Sequence, residues 1–262
     1  MESPVKDYLA KLLEEIPESK LLFIKNQDSL FSERKSFFVG IGDEAQPRLY
    51  RSILDRYEDL IDIDVHALLA GDQFPRVPIY SAPIYLVCTN GKRDQCCAKF
   101  GLQVYDHLVE SQHRVEDRAG TAWQTTHVGG HRFAANVVCF PHGIYFGRVT
   151  QDEAKTLVES YQRGEILLNR YRGRAYYQPV VQAAEYFLRQ HTGEPGISAF
   201  SHARTETVGA NRWNVQFASR SHAIEYNLSI ISEPSDSPVY KSCTDEDGVA
   251  VAQYRLVDIE TR

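Results

Sequence analysis

Apolar positions open the chain with a helical period. Val5, Tyr8, Leu9, Leu12, Leu13 and Ile16 fall on one stripe, and Pro17 ends it, which predicts an amphipathic helix over 5–16. The runs 21–24 and 37–41 read as short buried strands. Pro47 followed by Leu49, Tyr50, Ile53, Leu54 and Tyr57 predicts a second helix, so this part is a first α/β unit. Two prolines and a glycine between Gly71 and Pro78 mark a linker. Beyond it, 79–87 predicts a strand that delivers the chain to Cys88, and Thr89-Asn90-Gly91-Lys92 is turn chemistry. Leu102, Tyr105, Leu108 and Val109 predict a helix over 98–110, with Cys97 at its N-terminus. The segments 133–140 and 144–149 read as a hairpin around Pro141-His142-Gly143, and a helix runs through Glu153, Leu157 and Tyr161. After about residue 192 the pattern changes: a Gly/Pro loop precedes 213–217, 223–231 and 249–256, which alternate like antiparallel strands. The expected division is 1–77 as an N-terminal α/β region, 78–192 as a central domain and 193–262 as a strand-rich C-terminal segment.

Composition narrows the partners. With 262 residues, 43% of them hydrophobic and 24% charged, the chain can bury a substantial core. A formal net charge of -6 gives no general basic field, so nucleic acid is not an expected partner. No run approaches the roughly 18 apolar residues that span a bilayer, so no membrane partner is expected. The N-terminus lacks the basic and apolar regions of a secretory signal, and the expected location is cytoplasmic.

The cysteines carry the first chemical signal. There are five, an odd number, and Cys88, Cys96 and Cys97 fall within ten residues, which in a reducing compartment reads as thiols or metal ligands rather than a disulfide framework. A helix N-terminus stabilises a thiolate through free N–H groups and the positive end of the helix dipole. Cys88-x8-Cys97 followed by His127-Val-Gly-Gly-His131 assembles two sulfurs and two imidazoles, a set that suits an iron-sulfur cluster or zinc. Gly129 and Gly130 free the intervening backbone to pass close to an inorganic centre and argue against a helical HxxxH. Cys139, inside an apolar strand, and Cys243, in a polar loop, have ordinary structural readings and stay outside the site. Of Cys96 and Cys97, one is a primary ligand if the backbone is extended there; chemistry alone does not choose.

The stretch Cys88-Thr-Asn-Gly-Lys-Arg-Asp-Gln-Cys-Cys97-Ala-Lys-Phe-Gly101, with His127-Val-Gly-Gly-His131-Arg-Phe-Ala-Ala-Asn136 and Gly143-Ile-Tyr-Phe-Gly-Arg148-Val, closely resembles the sucrase/ferredoxin-like family. The resemblance is strongest over about 78–190, including Arg172-Gly173-Arg174, Tyr177-Gln178-Pro179 and Gln182-Ala183-Ala184-Glu185. It implies an α/β protein with a thioredoxin-like ferredoxin domain that holds one [2Fe-2S] cluster through two cysteines and two histidines. The family register selects Cys97 over Cys96, matches Arg93-Asp94 to the family's RD pair, and matches His127 and His131 to its HxGGH. Metal ligation is thus expected at Cys88, Cys97, His127 and His131, with Gly129 and Gly130 lining the cofactor. Two neutral imidazoles in place of thiolates should raise the potential toward the Rieske range of about -150 to +300 mV.

The expected work is one-electron transfer to an unidentified redox partner protein, by a carrier rather than an enzyme. A structural zinc Cys2His2 protein and an iron-sulfur redox sensor share the ligand set. A thiol-disulfide oxidoreductase would need a Cys-x-x-Cys that the sequence lacks. A glycosidase would need a carboxylate pair that no spacing identifies; Asp94 and the acids of 59–64 read instead as capping residues and a solvated helix end. Arg163, Arg170, Arg172 and Arg174, interleaved with tyrosines, read first as a solvated end with aromatic packing, except for Arg172 and Arg174 in the family-like motif, and second as a dock for an acidic partner or a site for an anion.

Overall fold

The computed structural model describes residues 3–72, 77–113, 120–242 and 244–262. Residues 73–76 of the expected linker, and Cys243, lie outside them. The first helix, α1 (Ser3–Glu15), buries Val5 and Leu9 and stops before Pro17, which has no N–H to continue it. Of the expected strand at 21–24, only Ile24 takes part, in the two-residue β1 (Ile24–Lys25). A short α2 (Gln27–Phe31) follows, capped by the Asn26 side chain, which accepts the Ser29 N–H at 2.8 Å.

The predicted second helix is a strand. β2 (Lys35–Ile41) and β3 (Arg48–Leu54) form an antiparallel hairpin in which Val39 faces Tyr50. Leu49 packs toward the central sheet, whereas Tyr50 and Leu54 pack on the opposite side with Val5, Leu9 and Leu68. Apolar residues are therefore needed on both faces of β3, and a strand buried on both faces imitates helical spacing. Hydrogen bonds from Arg51 N–H to Pro78 and from Tyr80 N–H to the Leu49 carbonyl occupy the outer edge of β3. α3 (Val65–Ala70) then runs from an Asp64 cap to Gly71 at φ +91°, a left-handed stop.

The centre of the molecule is built by β4 (Ile84–Cys88), α4 (Gln95–His113), β5 (Thr121–Thr125), β6 (Val137–Phe140), β7 (Ile144–Phe146), α5 (Ala154–Gln162) and β8 (Tyr171–Arg174). The sheet order is β1-β5-β4-β6-β7-β8, with β4 parallel to β5 and antiparallel to β6, and β6 antiparallel to β7. A β-α-β unit joined to a β-β-α unit in this order is the thioredoxin-like arrangement. Every residue of β4 is buried, because both sheet faces are covered. Tyr85, Val87, Val137 and Cys139 meet Val104, Tyr105 and Leu108 of α4 and Leu157, Val158 and Tyr161 of α5. Ile84, Leu86, Cys88, Trp123 and Val138 meet Leu49 and Phe38 of the β2/β3 hairpin. Each such apolar side chain contributes roughly 1.5–3 kcal/mol by leaving water.

A last helix, α6 (Pro179–Thr192), lies between the central sheet and a C-terminal one formed by β9 (Phe200–Gly209), β10 (Arg212–Ser219), β11 (Glu225–Pro234) and β12 (Ala252–Thr261). These strands are antiparallel neighbours in the order β12-β11-β10-β9, the strand-rich segment the alternation predicted. Val181, Ala184 and Leu188 of α6 pack on Phe200, Val215, Phe217, Leu228 and Ile230. Among the described residues, no helix is long and apolar enough to cross a membrane.

Candidate metal centre

The strand β4 ends at Cys88, and its alternation aims that side chain at the face under the β2/β3 hairpin, with Cys139 of β6 on the opposite face. Cys88 N–H donates to the Asn136 carbonyl at 3.0 Å, which ties the end of β4 to the start of β6. α4 begins at Gln95, so Cys97 sits in its first turn, as its spacing predicted. The cap is Asp94, whose carboxylate accepts the Cys96 N–H at 2.9 Å. A Cβ on Gly101 would lie 2.2 Å from the Cys88 carbonyl oxygen, so this glycine lets α4 ride directly against the strand end. That contact brings Cys97 to Cys88.

From the other side comes the turn after β5. Gly129 and Gly130 take φ +96° and +71°, a left-handed pair that places the His127 and His131 rings in a stack, centroids 4.1 Å apart and 11° from parallel. Asn136 clamps the turn: its Nδ2 donates to the Gly130 carbonyl at 3.0 Å, and its Oδ1 accepts from Arg172 Nη1 at 2.6 Å. A Cβ on Gly130 would stand 2.6 Å from the Arg172 guanidinium.

Cys88, Cys97 and His127 place ligand atoms within 4.8 Å of one another, and Asp94, Cys97 and His131 do the same. The four predicted ligands thus meet at one place, joined through Cys97, but spread over two overlapping triads, wider than a single tetrahedral ion requires. Among the described residues, Nδ1 of His127 and Nδ1 of His131 are buried without a hydrogen-bond partner, and buried polar atoms left so are costly. Two sulfurs and two imidazoles with orphaned nitrogens fit a thiophilic metal centre.

The two thiols share one proton. The hydrogen bond from Cys97 lowers the pKa of Cys88, helped by N–H groups of Val128 and Asn90 and by His127, against the opposing effect of burial. Cys97 is raised by the same hydrogen bond, then by burial and by the negative charges of Cys88 and Asp94. Removing the second proton needs a cation between the sulfurs, so metal binding at this pair releases a proton.

Sequence reasoning missed Asp94 as part of the centre. It is buried, accepts a hydrogen bond from the Ser242 hydroxyl of the β11–β12 connection, and approaches His131 Nδ1 to 3.8 Å. Its signal was its position, three residues before Cys97 at a helix cap. Cys96 is half-buried on the same turn and belongs to neither ligand triad. The arginine cluster read from sequence disperses: Arg163 pairs with Glu165 and Arg170 with Glu153, each at 2.8 Å, and Arg174 is buried against Glu185 at 3.0 Å. Only Arg172 turns to the centre. His142 keeps an ordinary role, with Nδ1 2.6 Å from the Tyr161 hydroxyl.

The model of the sucrase/ferredoxin-like family matches residues 5–173. Over 96 residues the chain is 35% identical to "Altered inheritance of mitochondria protein 32" of Meyerozyma guilliermondii, covering 34% of each protein. Over 99 residues it is 29% identical to the protein of the same name from Saccharomyces kudriavzevii, covering 34% of this chain and 31% of that one. The chain thus spans about a third of the length of the curated relatives it matches. Among solved structures, it is similar to a thioredoxin-like [2Fe-2S] ferredoxin from Aquifex aeolicus, with 17% identity and a TM-score of 0.34 over 38% of this chain and 97% of that one.

Proposed function

The chain belongs to the sucrase/ferredoxin-like family, and from that premise we propose that Cys88, Cys97, His127 and His131 hold a [2Fe-2S] cluster through which the protein passes single electrons. The observation that carries this reading is the meeting of two buried thiols with two imidazoles whose Nδ1 atoms make no hydrogen bond among the described residues, around a turn with two positive-φ glycines. A bound cluster would supply a one-electron redox couple at this point. Cys88 and Cys97 would give thiolate ligands: Cys88 is prepared for ionisation by the Cys97 hydrogen bond and the Val128 and Asn90 N–H groups, whereas Cys97, held up by that same bond and by burial, would give up its proton to the metal. His127 and His131 would give neutral imidazoles, held in register by Gly129, Gly130 and the Asn136 clamp. Leu86, Trp123, Val128 and Val138 exclude water behind the sulfurs. The described cysteines are all free thiols, which suits a reducing compartment, and we place the carrier in the cytoplasm.

The test is anaerobic purification with iron and zinc quantified, followed by visible absorption and electron paramagnetic resonance before and after dithionite. Two irons per chain and a rhombic signal on reduction, lost or altered in His127→Ala and Cys97→Ala, are the expected result. A colourless chain with one zinc, still without a reduction signal after anaerobic reconstitution, would make this a structural metal domain and remove electron transfer.

A further inference from the structure

Beside the histidine turn, three guanidiniums gather on one ring. The Cζ atoms of Arg172, Arg132 and Arg148 lie 4.2, 4.6 and 5.4 Å from the centroid of Phe133. None of the three makes an ion pair among the described residues; the carboxylates of Glu153, Glu165 and Glu185 are taken by Arg170, Arg163 and Arg174. Three like charges around one ring repel one another, and the ring itself brings no negative charge to offset that. Attraction to a phenyl face is modest for each cation, and a buried charge is ordinarily paired. Arg148, moreover, sits at φ +55° with its side chain exposed, a backbone cost that a non-glycine residue bears where the surroundings hold it there. The arrangement concentrates positive charge on a chain whose net charge is -6, with no carboxylate ion-paired to it among the described residues.

We propose that Arg132, Arg148 and Arg172 form the docking face for a carboxylate-bearing surface of the protein's electron-exchange partner, and set that partner against the His131 edge of the metal centre. The proposal rests on the electron-transfer reading above. Its geometry is direct: Arg132 follows His131 in the chain, and Arg172 fills the space where a Gly130 side chain would stand. The face grades from Arg172, largely buried and hydrogen-bonded to Asn136, to Arg148 in open solvent. That gradation suits a protein surface laid against it, because the exposed arginine steers the encounter and the buried one fixes its orientation.

Two measurements on the full chain test this. The first is calorimetric titration with hexacyanocobaltate(III), a redox-inert trianion, at low ionic strength. One site is expected, weakened about tenfold in Arg132→Gln and in Arg148→Gln and unchanged in Arg163→Gln, whose arginine pairs with Glu165. The second is stopped-flow oxidation of the reduced, iron-loaded protein by hexacyanoferrate(III), which takes one electron and becomes hexacyanoferrate(II). A comparison oxidant is the trication tris(phenanthroline)cobalt(III). The anionic oxidant should slow about tenfold in the same two variants and slow with added salt, while the cation reacts no slower. Absence of a titratable site, or equal loss in Arg163→Gln, overturns the docking face. Anion binding with unchanged rates reduces it to a site for free anions and overturns its link to electron exchange. A chain that titrates normally but holds no iron overturns the electron-transfer reading and keeps the anion face, so the two failures are distinguishable.

Discussion

Cys96 and Cys97 are adjacent and differ in burial and in their place in the centre. Cys97 is buried against Cys88 in the first turn of α4, whereas Cys96 is half-buried and belongs to neither ligand triad. Cys97→Ser and Cys88→Ser should therefore abolish metal binding, while Cys96→Ser should keep the iron content of the parent chain, read by metal analysis of the purified variants. The two turn glycines separate two costs. Both Gly129→Ala and Gly130→Ala must hold a Cβ at positive φ, which costs roughly 1–2 kcal/mol, but only Gly130 also has the Arg172 guanidinium 2.6 Å from the new atom. Urea unfolding should show the larger loss at 130, and with it the larger loss of bound metal. The meeting of two sulfurs and two imidazoles was legible in the sequence because these groups at such spacings are chemically specific, with the family resemblance choosing Cys97 over Cys96. Asp94 was not, because an acid at a helix cap has a sufficient local explanation; its burial beside His131 depends on Ser242, far away in the chain.

At the scale of elements, the centre exists because a strand end, a helix start and a glycine turn converge. The first two are locked by Gly101, where a Cβ would meet the Cys88 carbonyl at 2.2 Å, and backbone cannot move aside as a flexible side chain can. Gly101→Ala should destabilise the fold by about 1–3 kcal/mol, as overpacking does, and should reduce metal content in the same preparation. Loss of stability with full metal retention would show that α4 shifts as a unit without moving Cys97 from Cys88. The strand β4, helix α4 and the β6/β7 hairpin could be read from the sequence because local periodicity, turn residues and burial agree there. β3 could not: Leu49 faces one cluster and Tyr50 and Leu54 another, and the spacing that results belongs equally to a helix. Pairing with β2, a tertiary fact, decides between them. α6 and β9 went unread for a similar reason, since the face each buries is supplied by the other and by β10 and β11.

For the whole molecule, the two sheets are joined through a buried charge network. The Glu185 carboxylate of α6 accepts from Arg174 of β8, from Arg189 one turn on, and from the Tyr171 hydroxyl, while the two arginines also donate to the carbonyls of Ile197 and Gly196 that lead into β9. Burial alone would raise the pKa of Glu185, yet Arg174 and Arg189 bring it below the usual value. A carboxylate with a depressed folded pKa contributes stability that is present above its unfolded value, near 4.3, and is lost as pH falls through the folded one. His142 acts over a higher window. Burial and the charge of Arg174 lower it to about 4, so the unfolded chain, with a histidine near 6.5, takes up the proton first, and stability is lost as pH falls from about 6.5 to 4. Unfolding midpoints in urea should therefore decline in two stages below neutrality. His142→Gln should flatten the upper stage alone. Glu185→Gln should flatten the lower one and, by leaving two buried arginines without their counter-charge, cost about 3–5 kcal/mol at neutral pH. If the upper stage survives in His142→Gln, the proton responsible sits elsewhere, and burial at Tyr161 does not depress the His142 ring in the folded chain.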